Sequence, residues 1–328
     1  MHRKLTFAIL IVLLLTACGQ AATTNAPART SSPLPVSTST AVAAPTSAGI
    51  TLTDGMDRTV TLAGPAQRVV SLAAANTEIL YAIGAGSQVV GRDTFSDYPD
   101  AAQSVQDIGG SMGEYNTEAV VALQPDLVLA GGINPTELVA SLEQLGLTVY
   151  FLPNPETLEE MFANLETVAK LTGHEAEAAV LVDSLKARLA ALDAKIATVS
   201  NRPTVYYELD ATDPTKPYTA GRAGPTNFVD ALITRAGGTN IGSQMQSEWP
   251  QISLEQLVVD DPQVILLGDA AYGETPETVA ARPGWDVLSA VRDGHVYPLD
   301  YHLVSLPGPR LVDGLETLAK LLHPDLFK

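Results

Sequence analysis

Residues 174–200 read HEAEAAVLVDSLKARLAALDAKIATVS, and no Gly or Pro interrupts them. Large aliphatic residues recur at helical spacing and fall on a single face, namely Leu181, Leu185, Leu189, Leu192 and Ile196. At 1.5 Å per residue, a helix over this stretch would be about 40 Å long, which is the length of a whole lobe. The pattern therefore predicts one long helix near the middle of the chain.

Short β runs alternate with helical patterns on both sides of this helix. The order begins with a hairpin that turns near Asp54, followed by a buried strand and a helix capped near Asn76 and closed by Gly84 or Gly86. A second series of strands and helices starts after Pro203. Such alternation predicts parallel sheets covered by helices. We therefore expect two Rossmann-like α/β lobes joined by one long helix: an N-terminal lobe at 49–172, the helix at 173–201 and a C-terminal lobe at 202–328.

One helix–strand module occurs in both predicted lobes. It reads TEAVVALQPDLVLAGG from Thr117 and LEQLVVDDPQVILLGD from Leu254. Each copy has a Glu in second place, Glu118 or Glu255, and a Pro seven residues later. Asn116 and Ser253 can serve as N-caps, and a carboxylate in the first turn complements the helix dipole. Helix capping alone could therefore account for each Glu.

The first 17 residues have the organisation of a secretory signal. Arg3 and Lys4 precede an apolar run that is too short to span a bilayer comfortably. LTAC resembles a bacterial lipobox, in which Cys18 becomes the lipidated N-terminus, and this is the only Cys of the chain. Residues 18–48 are rich in Ala, Thr, Ser and Pro, which predicts a disordered tether. We expect an extracytoplasmic protein anchored to the cell membrane by lipid.

Charge and motifs exclude several classes of function. The formal net charge of −18 opposes binding to nucleic acid and to anionic lipid headgroups. The sequence has no Gly-x-Ser-x-Gly elbow, P-loop or dinucleotide fingerprint. The histidines after the signal are not at metal-ligand spacing; they are His174, His295, His302 and His323. We therefore predict a protein without catalytic activity, cofactor or dedicated metal site.

Several motifs together resemble those of a known transport family. Asn-Thr-Glu from Asn76, Ser-Asp-Tyr-Pro from Ser96, the two Glu modules and the lipobox are similar to those of substrate-binding proteins of bacterial ABC importers. The resemblance covers residues 50–325 and is to the helical-backbone class that captures cobalamin, iron-siderophores or haem, with the cobalamin-binding protein closest in motif. It implies a ligand in the cleft between the lobes, with little closure on binding.

The same resemblance implies partners. In this family one exposed Glu on each lobe docks with arginines of the permease, and Glu118 and Glu255 match those positions. The implied partners are a permease dimer with its ATPase subunits and a small metal chelate, bound by a monomer. The alternative of another class is a surface sensor or adhesion lipoprotein that reuses the fold without a permease.

Ligand contacts are expected from loops at strand ends. In the cobalamin-binding relative an aromatic residue just before Ser-Asp-Tyr-Pro touches the ligand, and the resemblance implies this role for Phe95. Met112 or Tyr115 takes the place of a Trp that the same relative has. The resemblance also implies contacts from the loop before the last helix, which offers Asp300, Tyr301 and His302, and the second lobe adds Trp249 and Arg222 as candidates.

The choice of ligand depends on the chemistry of these side chains. Stacking aromatics suit the broad, largely apolar ring of a corrinoid. Arginines such as Arg222 would suit an anionic iron chelate, and Tyr301 or His302 could serve as an axial haem ligand. The order of preference is corrinoid, then iron-siderophore, then haem.

Overall fold

The computed structural model describes residues 49–110, 113–224 and 227–328. The predicted signal, Cys18, the tether and Met112 lie outside these ranges. Within them, no helix is both long enough and apolar enough to cross a bilayer.

The N-terminal lobe (lobe 1, residues 49–172) contains a hairpin and a five-stranded parallel sheet. The hairpin pairs β1 with β2 in antiparallel register, and the sheet has the order β5-β4-β3-β6-β7. Every residue of the interior strand β6 is buried, as expected for a parallel strand covered on both faces. The strands are β1 Ile50–Thr53, β2 Thr59–Leu62, β3 Val69–Ser71, β4 Val89–Arg92, β5 Gln106–Asp107, β6 Leu127–Gly131 and β7 Val149–Leu152. The helices are α1 Ala74–Ala82, α2 Thr117–Ala122, α3 Thr136–Gln144 and α4 Leu158–Thr172.

The first helix of lobe 1 begins earlier than predicted. Its N-cap is Ala73, which makes no side-chain cap, so the prediction of a cap near Asn76 is wrong. Asn76 lies buried inside α1, and its amide donates to the Leu129 carbonyl at 3.3 Å. The side chain therefore ties α1 to β6. Gly84, with φ +89°, follows the C-terminus in the left-handed conformation that Gly adopts without strain.

The linking helix α5 spans Glu175–Ile196, which makes it shorter than the predicted stretch. Its 22 residues give a length of about 33 Å. After Ile196 the Thr198 hydroxyl donates to the Lys195 carbonyl at 2.7 Å, and Pro203 disfavours helical geometry in the residue before it.

The C-terminal lobe (lobe 2, residues 202–328) repeats the plan of lobe 1. Its parallel strands have the order β10-β8-β11-β12, with β9 antiparallel to β8. In both lobes the strand that follows the repeated Glu helix pairs with the first strand of the parallel sheet. The strands are β8 Thr204–Asp210, β9 Tyr218–Thr219, β10 Thr239–Asn240, β11 Val264–Leu267 and β12 Val296–Pro298. The helices are α6 Val229–Arg235, α7 Leu254–Asp260, α8 Pro276–Ala280, α9 Ser289–Arg292, α10 His302–Ser305 and α11 Leu311–Leu322.

One apolar core runs through α5 from lobe to lobe. The buried face of α5 packs on α4 of lobe 1 and on α11 of lobe 2, and one cluster of buried side chains includes residues of both lobes. Two arginines add polar ties. Arg188 of α5 pairs with Asp313 at 2.5 Å and Glu316 at 2.9 Å on α11, and Arg235 of α6 pairs with Asp193 of α5 at 2.8 Å. The expected two α/β lobes on one helix are thus confirmed.

Candidate functional site

A cavity of about 610 Å³ lies between the lobes, within the size range of small-molecule sites. Lobe 1 supplies most of its wall from the segments that follow the carboxyl ends of its five parallel strands. Ligands of open α/β sheets commonly bind at this edge. The lobe 1 lining comprises Leu72–Asn76, Asp93, Phe95, Gly110, Gly113, Tyr115, Gly131–Ile133, Pro135, Leu152–Pro155 and Asn164.

Lobe 2 closes the cavity with a much smaller surface. Apart from Phe228, its contribution is one segment after β12 that contains α10. The residues of this segment that face the cavity are Tyr301, His302, Ser305, Leu306 and Pro307.

Phe95 stands at the mouth of the cavity on a turn built around Asp93. The buried Asp93 carboxylate accepts the backbone N–H of Phe95 at 3.2 Å and the hydroxyl of Ser96. Ser96 also bonds the Thr77 hydroxyl of α1 at 2.7 Å. Burial raises the pKa of Asp93, while the bonds from Ser96 and Phe95 act in the opposite direction. The network holds the turn, whereas the Phe95 side chain stays 57% exposed and free to contact a ligand.

Tyr115 presents its ring to the cavity while its hydroxyl is committed to the protein. The hydroxyl donates to the Leu72 carbonyl at 2.9 Å and accepts from the Asn134 amide at 2.7 Å. Burial, with the Asp93 charge as a second cause, raises the pKa of Tyr115 to about 12. The phenol therefore stays protonated at neutral pH, so Tyr115 offers a stacking surface and not an anionic metal ligand.

Tyr301 and His302 form an aromatic pair on the lobe 2 side. Their ring centroids are 3.9 Å apart, and Asp300 accepts the His302 backbone N–H at 3.0 Å. A His302 ring nitrogen, Nδ1, lies 3.1 Å from the same carboxylate. Burial raises the pKa of Tyr301. Asp300 is exposed and does not line the cavity, so it orients His302 from outside.

The lining is nearly free of charge. Among the described residues that face the cavity, Asp93 is the one carboxylate, and none is Lys or Arg. Neutral polar groups come from Asn154, Asn164 and Ser305, and the rest of the wall is apolar, aromatic or glycine. The same part of the chain contains no cluster of three or more His, Cys, Asp or Glu able to hold a metal ion.

The predicted ligand contacts are only partly brought together. The cavity is lined by Phe95, Tyr115, Tyr301 and His302. Arg222 is exposed and Trp249 is half-buried against Tyr207, with ring centroids 6.5 Å apart, and neither lines the cavity.

Sequence reasoning missed several apolar lining residues. Ile133, Phe228, Leu306 and Pro307 were not singled out. Ile133 follows β6, so the ends of buried strands gave a usable signal there, whereas Phe228 reaches the cavity only through the packing of the two lobes.

Glu118 and Glu255 occupy equivalent places on the two lobes. Each is the second residue of a short helix whose N-cap accepts a backbone N–H, from Ala119 to Asn116 at 2.9 Å and from Gln256 to Ser253 at 3.2 Å. Both carboxylates are exposed and have no partner among the residues that the structure describes. The predicted N-caps are confirmed.

Both helices also expose a valine one turn after the Glu. Val121 and Val258 are each 39% exposed and lie three residues beyond their Glu, on the same face of the helix. Each lobe thus presents a carboxylate beside a small apolar surface, which we call its Glu–Val patch: Glu118 with Val121, and Glu255 with Val258.

Fold and cavity define a two-lobed solute-binding protein. The Periplasmic binding protein family matches residues 69–303, and the chain belongs to this family. Membership indicates a location outside the cytoplasm and a role in ABC transport, as the resemblance implied.

Individual relatives agree with this class. The chain is 31% identical over 282 residues to an uncharacterized ABC transporter substrate-binding lipoprotein, YvrC, of Bacillus subtilis, covering 85% of this chain and 87% of the relative. It is 32% identical over 330 residues to a cobalamin-binding protein of Halobacterium salinarum, covering 98% of this chain and 86% of the relative. Among solved structures, the periplasmic heme-binding protein RhuT from Roseiflexus sp. RS-1 superposes with a TM-score of 0.70 at 26% identity, over 79% of this chain and 99% of RhuT.

Proposed function

We propose that this protein binds a corrinoid of the cobalamin type in the cavity between its lobes and delivers it to an ABC permease. The observation that carries the proposal is that the lining is nearly free of charge: its described residues include one carboxylate, Asp93, and neither Lys nor Arg. A corrinoid presents a broad apolar ring fringed mainly by neutral amides. Stacking on Phe95, Tyr115 and Tyr301, with hydrogen bonds to neutral groups such as Asn154, suits that chemistry.

Anionic ligands fit this lining less well. The carboxylates of haem and the charge of a ferric catecholate both call for cationic partners, because a charge removed from water needs compensation. The candidate cation Arg222 lies outside the lining, and Asp93 would repel an anion. The similarity to the cobalamin-binding protein of Halobacterium salinarum favours the same ligand.

Haem is the second candidate, because Tyr301 and His302 both face the cavity and either residue type can ligate haem iron. Burial opposes ionisation of the Tyr301 phenol, which leaves His302 as the better ligand. Haem is favoured over the corrinoid only if His302 coordinates its iron.

The N-terminus and the two Glu–Val patches complete the proposed function. Cys18 would carry the lipid, the tether would let the folded part reach its permease, and the protein would act as a monomer without catalytic activity. Glu118 and Glu255 would each meet a cationic site on one permease subunit, which positions the cavity over the transport path. The exposed Val beside each Glu supports this role, because capping alone does not require an apolar neighbour.

Equilibrium dialysis tests the ligand directly. Purified protein is dialysed against cyanocobalamin, haemin or a ferric hydroxamate, and bound ligand is quantified by its absorbance. We expect one equivalent of cyanocobalamin to bind at least 100-fold more tightly than haemin. Tighter binding of haemin, with a spectral shift that His302→Ala abolishes, would transfer the proposal to haem. Uptake of cyanocobalamin is then compared in cells with and without the permease genes. Transport predicts that uptake is lost without the permease, whereas a sensor or adhesion role would leave uptake unchanged.

A further inference from the structure

A buried ion pair joins the two lobes directly. Glu78 of α1, in lobe 1, meets Arg310, the residue before α11 in lobe 2. The contact is bidentate: Arg310 donates through Nε to Glu78 Oε2 at 3.0 Å and through Nη2 to Glu78 Oε1. Among the described residues, no other ion pair runs straight from lobe 1 to lobe 2.

The pair is attached to three segments that form the cavity. Residues 74–76, which line the cavity, begin the helix that carries Glu78. Arg310 lies three residues after Pro307, which ends the lobe 2 segment that lines the cavity. The Arg310 guanidinium also lies 3.8 Å from the ring centroid of Tyr98, on the turn that holds Phe95. One guanidinium thus links three parts of the cavity wall: the start of α1, the lobe 2 segment that ends in Pro307 and the turn that carries Phe95.

The surroundings leave the pair little freedom. The Glu78 side chain is 2% exposed and that of Arg310 is 14% exposed. Gly308 packs so closely that a Cβ at this position would lie 3.2 Å from Glu78 Oε2. Burial raises the pKa of Glu78, while the bonds from Arg310 oppose the rise. Because the desolvation of a buried pair cancels much of its attraction, its stronger effect is on geometry.

The pair acts at a different place from the linking helix. Arg188 of α5 holds α11 at Asp313 and Glu316, in the first and second turns. Glu78 holds the start of the same helix from lobe 1. Lobe 2 is therefore attached at two points, to α5 through Arg188 and to lobe 1 through Glu78. A rotation of lobe 2 about either contact would break the other one.

We propose that Glu78 and Arg310 are positioning residues that set the width of the cavity and so the fit of its ligand. Neither lines the cavity, so the pair acts through α1, the Tyr98 turn and the segment that precedes α11. This inference rests on the proposed function for its ligand, but the inter-lobe spacing is a property of the unliganded protein.

The test compares Glu78→Gln with a matched control, Glu208→Gln. Glu208 forms an equally buried bidentate pair with Arg282 at 2.6 and 2.8 Å, and both of its residues lie in lobe 2. Spin labels on cysteines introduced at the exposed Glu137 and Glu277, in a Cys18→Ser full chain, report the distance between the lobes by pulsed electron resonance. Titration with cyanocobalamin reports affinity.

We expect Glu78→Gln to broaden and lengthen the distance distribution of the unliganded protein. If about one molecule in ten keeps the competent spacing, the affinity falls about tenfold. Glu208→Gln should lower the melting temperature but leave the distances and the affinity as in the unsubstituted chain. Arg310→Lys, which keeps the charge but loses the bidentate fork, should give an intermediate distribution and serves if Glu78→Gln does not fold.

An unchanged distance distribution in a folded Glu78 or Arg310 variant would overturn the proposal, as would an equal change in Glu208→Gln. If the unsubstituted chain fails to bind cyanocobalamin while Glu78→Gln still widens the gap, the ligand assignment fails and the role of the pair stands.

Discussion

The two lobes share a sheet plan but differ at the carboxyl edge of the sheet. In lobe 1 this edge opens into the cavity, and the segments after all five strands line it. In lobe 2 the same edge is filled by its own side chains. Glu208, two residues before the end of β8, is fully buried and pairs with Arg282, which also pairs with Glu274 at 2.6 Å. The Arg282 guanidinium lies 4.6 Å from the ring centroid of the buried Trp285.

This difference explains how two similar lobes take unequal roles. Two similar α/β lobes offer a binding edge twice, and lobe 1 is the one whose edge opens into the cavity. The other lobe is closed by a charged cluster and contributes a lid through the segment after β12. What the lobes still share on their surfaces is the Glu–Val patch, one on each.

Reversing the charges of Glu118 and Glu255 should have the largest effect. We expect Glu118→Arg with Glu255→Arg to reduce uptake to background, since each lost charge pair contributes about 2–5 kcal/mol and two together exceed a hundredfold. Ligand affinity should not change, because neither residue lines the cavity. Uptake of radiolabelled ligand and titration of the purified variant measure the two quantities.

The matched control reverses two exposed carboxylates elsewhere, Glu175→Arg with Asp325→Arg. Glu175 lies in the first turn of α5, just beyond the C-terminal end of α4, and Asp325 lies in a short 3-10 helix, Pro324–Phe327, just beyond the C-terminal end of α11. Helices α4 and α11 both begin next to cavity segments and are about 18–22 Å long. Charges beyond their C-terminal ends are therefore remote from the cavity. Normal uptake is expected, and an equal loss in the control would assign the effect to net charge.

Removing an aromatic wall from lobe 1 should have a smaller effect. We expect Phe95→Ala to weaken ligand binding about tenfold, as for the loss of one stacked ring, with little change in stability because the side chain is largely exposed. Trp249→Ala in lobe 2 is the comparison, and titration should give it an unchanged affinity. A stronger effect at Trp249 would contradict the division of roles between the lobes.

The filled edge of lobe 2 predicts a pH dependence of stability. Burial, then the Glu208 charge, raises the pKa of Asp269 to about 7 from an ordinary value of 3.8. Between about pH 4 and 7 the folded state keeps this proton and the unfolded state does not, so the free energy of unfolding falls as pH rises. Calorimetry should show that the melting temperature falls between pH 5 and 8, and that Asp269→Asn reduces this fall by a few degrees.

Asp210→Asn provides the control for that measurement. Asp210 is exposed, and the Thr212 backbone N–H lowers its pKa, so it titrates below this range. Its substitution should leave the slope between pH 5 and 8 unchanged. If Asp269→Asn also leaves the slope unchanged, the buried carboxyl does not hold a proton near neutrality.

Closure of the lobes on ligand should be the smallest effect. Because α5 packs on both lobes and Glu78–Arg310 ties them again, we expect the radius of gyration to change by less than about 1 Å on binding, within the range of preorganised complexes. Small-angle scattering with and without cyanocobalamin measures it. A large compaction would show that the lobes move as independent bodies.

Sequence patterns were sufficient for the lobes and the linking helix. The hairpin at 50–62, the buried strands, α3, α7 and α11 follow from periodicity, and Asn116 and Ser253 follow from cap chemistry. One long helix, α4, was overlooked although its signals are present. Thr157 caps it by accepting the Glu160 backbone N–H, and Gly173, with φ +78°, ends it.

Contacts between the lobes were beyond sequence reasoning. Glu78 and Arg310 are separated by 232 residues, and nothing in either local pattern indicates that they meet. Arg310 contacts both Glu78 and Tyr98, and the sequence around Arg310 indicates neither contact. The filled edge of lobe 2 was missed for the same reason, because a strand pattern does not reveal which loop covers its end.

A crystal structure of the protein with cyanocobalamin is the most direct test of the central claim. We predict the corrin ring between Phe95 and Tyr115 of lobe 1 and the segment from Tyr301 to Pro307 of lobe 2, with the Glu208 cluster unchanged. A corrinoid bound at the carboxyl edge of lobe 2, or crystals that exclude cyanocobalamin yet admit haem on His302, would contradict the account.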